Sequence, residues 1–153
     1  MSIGFVMMKI VHLAAVVVFL GNILTAIFWK SFGDRTRDPK IIAHTIAGII
    51  RADRIFTMPS VGILLIAGFG AQGMARYPLT LPWILWGLIL YVLSAAVFMT
   101  RVSPVQKKLA TLAASDSMDW KEYDRLSKQW RVWGIIATLL PIAAFVLMVW
   151  KPA

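Results

Sequence analysis

The chain contains no cysteine and very little acid. Its 153 residues include 7 Asp and Glu, only 2 His, and no Cys at all. Without cysteine there is no disulfide framework, no thiolate ligand for a metal or iron–sulfur cluster, and no redox-active thiol. Charge of either sign is scarce, at 15% of residues, while 59% are hydrophobic. A soluble domain of this size needs a more polar surface, so the composition reads as an integral membrane protein. The motifs of soluble enzymes are missing too. There is no P-loop, no GxGxxG following a strand, no HExxH and no Ser/His/Asp arrangement. Glycine-rich 68–73 (GFGAQG) closes a membrane span, which makes it a poor phosphate cradle.

What the chain has instead is long apolar runs. Four stretches pass the length of roughly 20 residues that a bilayer core demands. They cover 3–29, 55–74, 81–100 and 132–150. The expected fold is all-α, one domain over 1–153, with four transmembrane helices in an antiparallel bundle. The first stretch lacks the basic start and small-residue cleavage site of a signal peptide. Trp29, Trp130 and Trp133 on one side, and Tyr77, Trp83, Trp86 and Trp150 on the other, are placed as interfacial aromatics.

The net charge of +9 is distributed unevenly. Lys30, Arg35, Arg37, Lys40, Arg51 and Arg54 fall between spans one and two. Arg101, Lys107, Lys108, Lys121, Arg125, Lys128 and Arg131 fall between spans three and four. Only Lys9, Arg76 and Lys151 lie on the opposite side. By the positive-inside rule both basic loops are cytoplasmic and both termini lie outside, in a bacterial inner membrane. The same rule, together with attraction to anionic lipid, accounts for the basicity without nucleic acid.

The basic loops also read as helical. Asp38-Pro39 is an N-cap with a first-turn proline, from which one helix runs to Met74. Its 36 residues make about 54 Å at the helical rise, so two to three turns protrude from the bilayer. Asp119 and Glu122 resemble a capping box that opens a helix into span four, and span three continues past Pro104. Pro59 and Pro141 each free a carbonyl one turn earlier inside their spans.

His12 is the residue with the clearest chemical content. The run 10–29 (IVHLAAVVVFLGNILTAIFW) otherwise holds only Asn22 and Thr25 as polar side chains. An ionisable group in such a setting marks a functional site by default, and neutral imidazole is a common ligand for metals, including haem iron. His12 lies roughly 10–13 Å inside the terminal edge of its span. Counting inward on the neighbouring spans reaches Ala67, Gly68 and Gly70, then 89–91, then Ala143 and Ala144. Small residues on two facing helices leave room for a planar group, although membrane helices also use them simply to pack. Lys9 and Asn22 share a broad face with His12. His44 falls more than roughly 30 Å away on the cytoplasmic extension, so both histidines cannot ligate one haem. Met8 and Met148 lie nearest in depth. Arg54, at the inner mouth of span two, is either an anchor or a substrate contact.

Lys9-x-x-His12 with Gly21, Arg54-x-x-x-x-Pro59 with Gly68, and Leu147-Met-Val-Trp-Lys151-Pro152 resemble the HemJ-type protoporphyrinogen IX oxidases in order and spacing. They resemble still more closely a related family of uncharacterised four-span bacterial membrane proteins, a domain of unknown function. The resemblance implies b-type haem, with iron on His12 and with Lys9, Arg54 and Gly68 around the cofactor. The oxidases carry a lysine in the third span; here Trp83-Ile-Leu-Trp-Gly87 places glycine there, which removes the precedent for oxidase chemistry. The functions to be weighed are a haem-b membrane redox protein, a non-catalytic accessory or assembly subunit of a larger bioenergetic membrane complex, and a small transporter that would require a homo-oligomer.

Overall fold

A computed structural model describes residues 2–152. The elements are α1 (Ile3–Thr36), α2 (Pro39–Ala52), α3 (Met58–Ala75), α4 (Pro82–Val97), α5 (Ser103–Ala113) and α6 (Trp120–Trp150). Among the described residues there is no strand. Two π turns, Asp53–Thr57 and Phe98–Val102, join α2 to α3 and α4 to α5 without a break. Four continuous helices result, Ile3–Thr36, Pro39–Ala75, Pro82–Ala113 and Trp120–Trp150, each long and apolar enough to cross a membrane.

Local chemistry sets the boundaries. Ser2 caps α1 by accepting from the Phe5 amide, and Asp38 caps α2 by accepting from Lys40. Asp119 caps α6 by accepting from the Glu122 amide at 3.1 Å. The expected capping box is only half formed there, because the Glu122 carboxylate turns to Arg125 instead. Arg37, Arg76 and Lys151 end their helices at positive φ, the left-handed stop common at helix C-termini.

Both π turns come just ahead of a proline. The Met58 amide bonds back to the Asp53 carbonyl, and the Ser103 amide to that of Phe98. Pro59 and Pro104 cannot donate to the carbonyl four residues back, and in a regular helix their rings would strike it. Widening the preceding turn by one residue carries the helix through.

Large apolar side chains cover the outside, with Ile66 at 74% and Val17 at 72% exposure. Such a surface implies a lipid bilayer around it. The interior is uneven along the bundle axis. At the end that carries the basic loops, Ile42, Ile46, Val102, Leu109, Tyr123, Leu126 and Trp130 form a closed core. Gly33 admits α2 against α1 there; a Cβ at that position would lie 2.9 Å from Thr45 Oγ1. At the end that carries the termini, α1 pairs with α3 and α4 with α6. Among the described residues the α3 backbone approaches neither α4 nor α6. The two pairs are therefore splayed.

Candidate functional site: a cleft around His12

The splay leaves a cleft of about 450 Å³ between the helix pairs, a size typical of small-molecule sites. Its walls are apolar, from Leu13, Val16, Leu65, Phe69, Leu88 and Phe145 among others. The polar features are few: His12 on α1, Lys9 one turn towards the mouth, Gln72, Tyr77, Tyr91, Lys151 and the Trp83 indole. Among the described residues no acidic side chain lines it.

His12 is held in one orientation. Its Nδ1 lies 3.0 Å from the Leu64 carbonyl oxygen on α3. A carbonyl can only accept, so Nδ1 carries the proton and neutral His12 keeps a lone pair on Nε2. Among the described residues Nε2 has no hydrogen-bond partner. Gly68, one turn beyond Leu64, makes the approach feasible, since a Cβ there would lie 3.2 Å from the imidazole Nδ1 and Cε1. Metal-ligating histidines are commonly fixed in this way, with the second ring nitrogen donating to a carbonyl.

Three of the four residues singled out from sequence come together here: His12, Lys9 and Gly68 all line the cleft. Arg54 does not. It is exposed within the π turn at the basic end, fourteen residues below Gly68 and so about 21 Å away along the helix. His44 is exposed on α2, farther still. Met148 lines the cleft and fills the space over Gly87, where a Cβ would meet its methyl carbon at 2.6 Å. Met8 instead packs on Gly70. Ala144 is buried against the cleft while Ala143 faces outward. Lys151, read from sequence as a terminal-end charge and as part of the C-terminal motif but not as a site residue, lines the mouth, with Nζ 5.1 Å from the Trp83 ring centroid.

The floor of the cleft is Phe19 with Tyr91, their ring centroids 6.2 Å apart. The Tyr91 hydroxyl donates to the Val61 carbonyl at 2.8 Å, tying α4 to α3. Below this pair lies a second cavity of about 110 Å³, reaching Asp53, Thr57 and Gln106.

The basic end holds polar networks that the sequence reading did not assemble. Lys30 is 3% exposed and reaches Asp34 Oδ2 at 2.6 Å, Tyr123 at 3.0 Å and Ser127 at 3.0 Å. Tyr123 and Ser127 in turn donate to Asp34. Burial, then the bond to Asp34, pushes the Tyr123 hydroxyl well above the ordinary phenol range, so it stays a donor. Trp130, placed from sequence in the interfacial belt, is 5% exposed and donates to Gln106 Oε1 at 2.9 Å. Its NH satisfies a buried amide, which is why it turns inward. The available signals were Lys30 and Asp34 four residues apart, and a lone acid, Asp53, between Arg51 and Arg54.

No curated protein and no solved structure matches this chain. The model of one family, described as "Predicted integral membrane protein (DUF2269)", matches residues 6–152, nearly the whole chain, and the protein belongs to that family.

Proposed function

We propose that this protein is a haem-b membrane redox protein, distantly like the HemJ oxidases, in which His12 Nε2 ligates the iron within the cleft. The observation that carries the reading is the hydrogen bond from Nδ1 to Leu64, which leaves Nε2 available in an apolar cleft with lysines at its mouth. Among the described residues no three His, Cys, Asp or Glu side chains group to hold a bare metal ion. A single imidazole therefore suits a metal that arrives with its other ligands, as porphyrin iron does.

The residues divide the work by position. The Leu64 carbonyl fixes the imidazole tautomer and strengthens Nε2 as a donor. Gly68 leaves space beside the ring, and the apolar walls exclude water. Lys9 and Lys151 supply positive charge for carboxylates at the mouth, and Met148 offers a thioether inside. When bound, haem b supplies one-electron chemistry. With Gly87 in place of a third-span lysine, protoporphyrinogen oxidation is not part of the proposal. The setting is a bacterial inner membrane with the termini outside.

The test is the absorption spectrum of protein purified in detergent. A Soret band with split α and β bands, lost in His12→Ala, is the expected result. A colourless and well-folded wild type, even after haem is supplied during expression, overturns it. The second reading is a non-catalytic accessory subunit, favoured by the basic-end extension with its own closed core of Ile42, Ile46, Leu109 and Tyr123. Stoichiometric co-purification with a larger membrane complex would support that reading.

A further inference from the structure

Among the described residues Asp53 is the one buried carboxylate without a cation. The ion pairs among the described residues are Lys30 with Asp34, Arg37 with Asp124, and Arg125 with Glu122. Asp53, 8% exposed, has none. Its partners are neutral and come from three directions. Oδ1 accepts from Asn22 Nδ2 of α1 at 3.2 Å and from Thr57 Oγ1 of its own π turn at 3.0 Å. Oδ2 accepts from Gln106 Nε2 of α5 at 3.0 Å.

The donor directions are fixed by chemistry. Trp130 of α6 can only donate, so Gln106 must present its oxygen to Trp130 and its nitrogen to Asp53. Asn22 Nδ2 also donates to Thr57 Oγ1 at 2.8 Å, which leaves the threonine proton for Asp53. The other residues that surround this cavity from the packed helices, including Ile49, Val102, Ser94 and Thr138, carry no charge. Arg51 and Arg54, nearest in sequence, are exposed.

An ionised carboxylate in this position has lost water and gained no counter-charge, and such a group is relieved by a proton. We infer that Asp53 is a proton-binding site, loading a proton at the basic end and holding it in the cavity beneath the Phe19–Tyr91 floor of the cleft. The network accommodates both states. When Asp53 gains a proton, the Thr57 hydroxyl rotates to donate to its own helix backbone, and its oxygen accepts the new Asp53 O–H. Asn22 and Gln106 keep their roles. Thr57 is thus the positioning residue that switches between donor and acceptor. The site stands independently of haem at His12.

Infrared spectroscopy of the full protein reconstituted in phosphatidylcholine vesicles tests it, with the pH stepped from about 4 to 9. The expected result is a protonated carboxyl C=O band that titrates within this range, shifts with carboxyl-labelled aspartate, and is missing in Asp53→Asn. Thr57→Val should move its midpoint, and Asp124→Asn should not. If Asp53→Asn fails to fold, the isotope shift and the Thr57→Val response in folded protein decide the question. The inference is overturned if no labelled band titrates, if the band survives in Asp53→Asn, or if Thr57→Val leaves the midpoint unchanged.

Discussion

The two ends of this bundle are built on opposite plans. At the basic end the helices converge on buried polar groups that satisfy one another, such as Lys30 with Asp34, Tyr123 and Ser127, and Gln106 with Asp53 and Trp130. At the terminal end the same helices part around a cleft in which His12 is tied through one ring nitrogen and Tyr91 through its hydroxyl. Cooperative networks and a closed core give stability and register; an apolar gap with one free lone pair gives a place for a ligand. The contrast places the tightest packing at one end and open space at the other.

The sharpest way to break the contrast is at Lys30. Lys30→Met leaves Asp34 half-buried without its cation, and removing one partner of a buried pair costs about 3–5 kcal/mol. Thermal unfolding in detergent should show this loss, while His12→Ala, which removes only one edge hydrogen bond, should cost about 1 kcal/mol. Equal losses from the two substitutions would erase the division. Tyr123→Phe comes next. It deletes a donor to the Asp34 carboxylate, whose Oδ1 then keeps only Lys30, and a hydrogen bond to a charged group is worth about 1.5–3 kcal/mol by the same assay.

Gly68→Ala acts at the terminal end. Alanine favours a helix by about 1 kcal/mol over glycine, so stability should change little. The new methyl crowds the imidazole at 3.2 Å, so the His12 ring signals in a nitrogen-labelled NMR spectrum should shift. Unshifted signals would mean that His12 is not held where the Leu64 bond places it. The smallest effect belongs to the exposed Arg37–Asp124 pair. Arg37→Ala should leave the unfolding temperature unchanged within error, because solvent screens such pairs.

Much of this was legible in the sequence, for definite reasons. Hydropathy exposes the four helices, because a bilayer requires long apolar runs. Asp38, Asp119 and the helical continuations past Pro59 and Pro104 follow from capping and proline rules. Depth counting along antiparallel helices brought Gly68 beside His12. What escaped depends on which way a side chain turns. Trp130 has the position of an interfacial aromatic, yet it faces inward because Gln106 needs its NH. Lys30 and Asp53 sit among basic residues that do face solvent, and only packing against α5 and α6 distinguishes them. Arg54 follows the first-span pattern in sequence but lies about 21 Å down the helix from Gly68. The π turns arise from proline meeting a helix that tertiary contacts keep continuous, a balance that local sequence does not reveal.

If His12 presents a ligating nitrogen to the cleft, free imidazole can stand in for its side chain. His12→Gly protein, expressed with haem supplied, should lack the Soret band. Adding imidazole to the solution should restore it, since a free ring can occupy the vacated space. A His12→Gly protein that retains full haem absorbance without imidazole would contradict the account.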